Sequence, residues 1–276
     1  PPGAAADIPG LEFAGEIVEP PAGAGAWKRG DRVMGLLAGG GYAQRAAVPA
    51  STLLPVPAAL SWAEAGAIPE VFLTAADALF ERGRLTRGER VLIHSAGGGV
   101  GTAALQLARV GGASLIFGTA SAPKLRGLER IGLPLDVGID YRSESFARAV
   151  AERTAGEGVN VIVDTVGADY WDNNVASLAV LGRLVLVGLL GGAETRVSLS
   201  ALMRRRLTVV GTVLRARPVA EKAALTESFR RRFLPSFDDG ALRPVLDGTF
   251  PLERAAEAHA AMEANRTLGK IVLEVP

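Results

Sequence analysis

The chain contains no cysteine and only two histidines. Without thiols it can form no disulfide, no thiolate zinc site and no cysteine nucleophile, which fits a cytoplasmic protein. Aromatic residues make up 5% of the chain, and its three tryptophans, Trp27, Trp62 and Trp171, are too scattered for a base-stacking platform. A formal net charge of +1 argues against a nucleic-acid binder, since such domains are distinctly basic. The runs Arg204–Arg206 and Arg230–Arg232 read as solvated helix faces. No apolar run is long enough to span a bilayer: VASLAVLGRLVLVGLLGGA is broken by Arg183 and several glycines. The opening PPGAAADIPG lacks the charged and apolar regions of a signal peptide, and its start at Pro1 points to a segment missing upstream. No G-x-S-x-G occurs, and neither His94 nor His259 has a serine and carboxylate arranged nearby, so a hydrolase reading fails.

What is present is globular: 276 residues, 49% hydrophobic and 21% charged, enough for about two domains. Residues 1–60 read as short β segments, GEIVEP, DRVMGLL, YAQRAAVP and TLLPVP, between Gly- and Pro-rich turns. Ser61 to Glu64 forms an S-x-x-E capping box at a helix start, and Pro69 breaks or kinks that helical segment. From Arg90 the rhythm becomes strand, turn, helix. The strands are RVLIHS, SLIFGT, DVGID, NVIVDTVG, RLVLVG and LTVVGTV; the helices are Thr102–Arg109, Lys124–Ile131, Phe146–Arg153 and Asp169–Leu178. Near-continuous Val/Ile/Leu strands alternating with helices predict an α/β fold with a doubly wound parallel sheet of Rossmann type. A helix after Pro218 to about Leu234, the stretch LRPVLDGTFPL, a helix through His259 and Met262, and GKIVLEV read as the returning half of the first, β-rich domain.

The stretch HSAGGGVGTAALQLA, His94 to Ala108, places glycines between the first such strand and its helix. Backbone N–H groups there face the positive end of the helix dipole, and a pyrophosphate fits. Two registers satisfy the pattern: Gly99-x-Gly101-x-x-Ala104 and Ala96-x-Gly98-x-x-Gly101. NAD sites carry a carboxylate about 20 residues further on, which binds the ribose 2′-hydroxyl. Here the second strand ends Gly118-Thr119-Ala120-Ser121, with Lys124 one helical turn beyond. A hydroxyl and an ammonium suit a 2′-phosphate. One charge-assisted hydrogen bond, at about 1.5–3 kcal/mol, would favour NADPH by roughly ten- to a hundredfold. His94 reads as a histidine packed and hydrogen-bonded at a strand end, and His259 as a packing residue.

With these features in view the chain resembles the medium-chain dehydrogenase/reductase superfamily, and within it the zinc-free quinone oxidoreductases, closest to the tumour-suppressor-inducible subgroup. The motifs that carry the likeness are GLEFAGEI, GDRVMGLLAGGGYAQ, IPEVFLTAADAL, GGVGTAALQLA, GRLVLVGLLGG and AHAAMEANRTLGKIVLE, in order along nearly the whole chain. The resemblance implies a GroES-like catalytic domain from residues 1–68 and 217–276, around a Rossmann NADP-binding domain of residues 69–216. It favours the second glycine register, with Gly98, Gly99, Val100 and Gly101 on the pyrophosphate and Gly97 merely loosening the turn. It places Ser121, Lys124 and Tyr141 around the 2′-phosphate and Gly167 on the adenosine side. Gly188, Leu189, Leu190 and Gly191, with Leu214 and Arg215, would flank the nicotinamide half, and Thr74 would lie near nicotinamide and substrate. In GLEFAG, Leu11 stands where zinc dehydrogenases have a metal-binding histidine, so no metal site is expected and Glu12 reads as structural. Family members also carry an N-terminal segment with a substrate-facing Asn and Tyr that has no counterpart here.

These features together imply NADPH-dependent reduction of quinones or related α,β-unsaturated carbonyls without zinc. The alternatives are an enoyl or enone reductase of the same superfamily and a non-catalytic NADPH-binding protein. No residue stands out as a general acid, so water is the simplest proton source. The resemblance also suggests a homodimer in which LTVVGTV, an apolar edge strand, pairs with its copy.

Overall fold

The computed structural model describes residues 8–20, 25 and 27–275; the expectation attached to the start at Pro1 lies outside them. The chain divides into two compact units, Pro1–Leu73 with Val213–Pro276, and Thr74–Thr212.

In the first unit β1 (Glu12–Glu16), β2 (Arg32–Leu36) and β3 (Leu53–Pro55) form an antiparallel sheet in that order. Val33, Met34, Leu36 and Leu54 are its buried hydrophobic side chains. Gly30, at φ +86°, turns β1 into β2 and donates its N–H to the Ile17 carbonyl at 2.8 Å. The stretch YAQRAAVP is not the strand its composition predicts. Among the described residues, residues 42–49 pair with no strand, and several are exposed. Helix α1 (Trp62–Gly66) starts at the predicted capping box: Ser61 Oγ accepts from Glu64 N–H, and the Glu64 carboxylate accepts from Ser61 N–H. Pro69 does break the segment, and it opens the new helix α2 (Pro69–Ala76), where a missing N–H does no harm.

The second unit continues from α2 through one π-helical stretch, Asp77–Arg82. It then alternates β4 (Arg90–Ile93), α3 (Gly99–Val110), β5 (Leu115–Ala120), α4 (Ala122–Arg130), β6 (Val137–Asp140) and α5 (Phe146–Arg153). After these come β7 (Val159–Asp164), α6 (Trp171–Ser177), β8 (Leu178–Leu186), α7 (Leu199–Arg205) and β9 (Thr208–Gly211). The six strands are all parallel and run β6-β5-β4-β7-β8-β9. That is the doubly wound order in which connections reverse between the first and fourth strands, leaving a crevice at the strand C-termini.

On one face of the sheet the in-register side chains Leu92, Phe117, Ile162 and Leu184 pack with Phe146 and Val150 of α5 and Trp171 of α6. Each such side chain contributes roughly 1.5–3 kcal/mol on burial. Arg183, which interrupts the apolar run, is clamped on Glu89 at 2.6 and 2.8 Å and on the Gly83 and Arg84 carbonyls. Two strands differ from expectation. β8 starts at Leu178, a position read as helix, and shifts register beside Val159/Val161. β9 stops at Gly211, short of Val213, and lies at the sheet edge.

The chain then returns to the first unit through α8 (Val219–Arg232), α9 (Pro235–Asp238), β10 (Leu246–Pro251), α10 (Ala255–Glu263) and β11 (Lys270–Glu274). β10 and β11 pair in parallel. Phe72 meets Phe237 edge-on at 5.0 Å, with Phe229 behind. Among the described residues no helix is long and apolar enough to cross a membrane.

Candidate functional site

β4 delivers the chain into the glycine turn at the middle of the parallel sheet. Gly98 is the N-cap of α3, with its N–H on the Ser95 carbonyl (2.8 Å) and its carbonyl accepting from Thr102 N–H (2.9 Å). Among the described residues, the N–H groups of Gly99, Val100 and Gly101 donate to no backbone carbonyl. These are the orphan donors of a helix start, at the end where the dipole favours an anion. A Cβ on Gly101 would fall 2.2 Å from the Ser95 carbonyl oxygen and 2.7 Å from Ala96 Cα. The helix can close onto the turn only because that position is glycine, which supports the Gly98–Gly101 register. The three donors converging beside this close approach form a cradle that fits a pyrophosphate.

Gly97 does more than loosen the turn. A Cβ there would lie 2.9–3.3 Å from Cδ, Cβ and Cγ of Lys124, so the lysine stem crosses the turn over the bare glycine. Lys124 rises from the first turn of α4, whose N-cap is Ser121. The pairing of Ala120 with Asp140 sets Ser121 and Tyr141 side by side just past the ends of β5 and β6. Tyr141 is exposed, with the Arg142 guanidinium 5.8 Å from its ring. The structure thus gathers Ser121, Lys124 and Tyr141 around one corner of the crevice, and none of the three is acidic.

On the other side of β4 the turns after β7 and β8 run together. Gly167 adopts φ +85°, and a Cβ on it would meet the Gly192 carbonyl at 2.7 Å. Gly191 N–H donates to the Val166 carbonyl (2.7 Å) and Ala168 N–H to the Gly192 carbonyl (3.0 Å). Gly167 and the Gly188–Gly191 turn are therefore neighbours, and the turn presents Leu189 (52% exposed) and Leu190 (82% exposed) to solvent.

Beneath this crevice lies a buried polar chain that the sequence did not disclose. The Asn174 amide donates to Asp164 Oδ2 (2.9 Å), so its oxygen faces His94 Nε2 at 2.7 Å. Nε2 therefore carries the proton, and Nδ1 accepts from the Thr119 hydroxyl (2.9 Å). Asp164 also accepts from the N–H groups of Val166 and Gly167, which sets the turn after β7. Burial lowers the His94 pKa to about 4, the Asn174 bond opposing, so the ring is neutral. Burial likewise pushes the Asp164 carboxyl above its ordinary value, with those three donors opposing. Phe146 and Tyr170 meet the imidazole edge-on, each at 4.8 Å. The chain ties together the ends of β5, β4 and β7.

Thr74 is buried in α2. Leu214 and Arg215 follow β9 in the first unit, where Leu214 is buried and the Arg215 carbonyl accepts from Lys222 Nζ (3.0 Å). Glu12 is structural: it accepts from Lys270 Nζ (2.6 Å) and from Glu70 N–H (2.9 Å). His259 is not a packing residue. It sits on the exposed side of α10, with Nε2 2.8 Å from the Tyr42 hydroxyl. Arg205 caps the end of α6 through the Ala176 and Leu178 carbonyls, and Arg230 pairs with Glu227. Among the described residues no group of three or more histidines and carboxylates is placed to hold a metal.

Comparison with known proteins agrees with the fold. Residues 133–273 match the zinc-binding dehydrogenase family model, and residues 1–58 the GroES-like domain of alcohol dehydrogenases. The chain is 31% identical to a quinone oxidoreductase-like protein 2 homolog of Nematostella vectensis, over 96% of this chain and 73% of that one. Among solved structures it is similar to the CurK enoyl reductase (TM-score 0.86, 31% identity, 99% of this chain and 80% of that one). It is also similar to a mycobacterial protein solved with NADPH (TM-score 0.84, 30% identity, 96% and 81%).

Proposed function

The chain belongs to the medium-chain dehydrogenase/reductase superfamily, and on that premise we propose that it is a zinc-free, NADPH-dependent reductase of quinones or related α,β-unsaturated carbonyls. The observation that carries the cofactor choice is the corner where Lys124 crosses Gly97 beside Ser121 and Tyr141, a hydroxyl, an ammonium and a phenol that suit a 2′-phosphate. Gly98, Gly99, Val100 and Gly101 hold the pyrophosphate, Gly167 borders the adenosine, and Gly188 to Gly191 border the nicotinamide half with Leu214 and Arg215. Thr74 positions nicotinamide and acceptor. The reduced nicotinamide supplies the hydride when bound. The protein binds and orients the cofactor, and Leu189 and Leu190 offer an apolar surface that excludes water.

A second reading, reduction of an enoyl or enone carbon–carbon double bond, is favoured by the likeness to the CurK enoyl reductase. NADPH oxidation measured with an ortho-quinone and with an enone separates the two. Tight NADPH binding with turnover of neither would mean a non-catalytic binding protein. We also propose a homodimer through the open edge of β9, beside which Leu199 and Met203 of α7 are exposed. Light scattering that gives one chain per particle would contradict it.

A further inference from the structure

The turn that carries the three orphan donors begins on a residue in an unfavourable conformation. Ser95, directly after the buried His94, takes φ +51°, a left-handed backbone that costs any residue with a Cβ. Glycine would take it freely, and a run of glycines starts only two positions later. Yet the turn is built on Ser95. Its carbonyl accepts from Gly98 N–H at 2.8 Å, and the same oxygen is what a Cβ on Gly101 would meet at 2.2 Å. The aim of the Gly99, Val100 and Gly101 N–H groups therefore follows from where Ser95 puts that carbonyl. A conformation of this kind persists where its surroundings hold it, and here the hold comes from the neighbouring strand.

β7 lies beside β4, with Ile93 in register with Val163. Continuing that register past the two strand ends sets Thr165 level with Ser95, and the Thr165 hydroxyl donates to Ser95 Oγ at 2.7 Å. Thr165 is itself fixed. Its carbonyl accepts from Leu190 N–H at 3.2 Å, and the Asp164 carboxylate beside it accepts from Val166 N–H at 2.7 Å. A Cβ on Gly188 would lie 3.0 Å from the Thr165 carbonyl oxygen, so the turn after β8 also closes on this residue. β4 and β7 are the pair at which the connections reverse. The hydroxyl bridge thus crosses the floor of the crevice, with both residues half-buried.

We propose that Thr165 is a positioning residue for dinucleotide binding, acting through Ser95, an assignment that rests on reading the Gly98–Gly101 turn as a pyrophosphate site. The Thr165 hydroxyl holds Ser95 in its left-handed conformation and so keeps the three donors aligned before a dinucleotide arrives. Without the bridge the turn is formed in only a fraction of the molecules, and the apparent affinity falls by that fraction. The pyrophosphate is common to NADPH and NADH, so both lose affinity by the same factor. A change at the Lys124 corner acts on NADPH alone.

The test is calorimetric titration of the whole protein with NADPH and with NADH, at a temperature well below thermal unfolding of each variant. Thr165→Val keeps the side-chain shape and removes the hydroxyl. It should weaken both dinucleotides roughly tenfold and leave their ratio unchanged, while Thr165→Ser, which keeps the donor, should restore the affinity. Ser95→Ala and Ser95→Gly both delete the acceptor, but only alanine needs holding in a left-handed backbone. Ser95→Ala should therefore lose roughly tenfold, and Ser95→Gly much less. That pair decides even if Thr165→Val does not fold. Wild-type affinity in Thr165→Val, an equal loss in Thr165→Ser, or equal losses in Ser95→Ala and Ser95→Gly would overturn the proposal. A wild type that binds neither dinucleotide would instead defeat the cofactor reading, and the positioning role with it.

Discussion

In residues 74–212 the polar groups taken out of water form a directed chain, Thr119 to His94 to Asn174 to Asp164, with one carboxylate at its end. In the unit of residues 1–73 and 213–276 the corresponding groups are ionic: Glu12 with Lys270, and Glu70 and Lys222 beside them. In the first arrangement burial keeps His94 neutral down to about pH 4. The second holds a carboxyl that titrates near 7.

The sharpest way to break this contrast is to spoil the cradle. Gly101→Val forces a side chain into the Ser95 carbonyl; it should cost on the order of 3 kcal/mol by thermal unfolding and abolish dinucleotide binding. Next in size, His94→Leu strands the Asn174 oxygen and should cost about 2 kcal/mol. It should also change the acid limb. The folded pKa of His94 lies below its unfolded value of 6.5, so its contribution is complete above pH 6.5 and is lost as pH falls towards 4. The variant should flatten that slope in stability curves.

Lys270→Met, on the ionic side, should cost about 1–2 kcal/mol and move the midpoint of the Glu70 carboxyl, followed in the infrared, upward, since Lys270 lowers it. The smallest effect is thermodynamic. Glu70 is raised on folding, so the stability it contributes is present below pH 4.5 and lost as pH climbs through 7. Glu70→Gln should therefore gain on the order of 1 kcal/mol at pH 8 and almost nothing at pH 4. An equal change at both pH values would contradict a titrating Glu70.

The features legible in the sequence are those that depend on near neighbours along the chain. The Val/Ile/Leu strands Arg90–Ile93, Leu115–Ala120 and Val159–Asp164, the glycine turn and the Ser61–Glu64 capping box are local patterns, and each appears where its chemistry predicts. YAQRAAVP has strand-like composition, but a strand needs a partner, and among the described residues no other segment supplies one. Gly97 reads as slack in the turn because its missing side chain matters to Lys124, which arrives from another helix. His259 bonds Tyr42 across 217 positions, His94 meets Asn174 across 80, and Lys270 pairs with Glu12 across 258. No window on the sequence spans such distances, and a carboxylate such as Glu70 shows nothing of its burial until the fold assembles around it.

The central claim, that the Lys124 corner selects NADPH, is tested most directly by calorimetric titration of wild type and Lys124→Ala with NADPH and NADH. The account predicts that the wild type binds NADPH roughly ten- to a hundredfold more tightly than NADH. In Lys124→Ala that preference should vanish through weaker NADPH binding, with NADH affinity unchanged. Equal wild-type affinities, or a preference that survives the substitution, would contradict it.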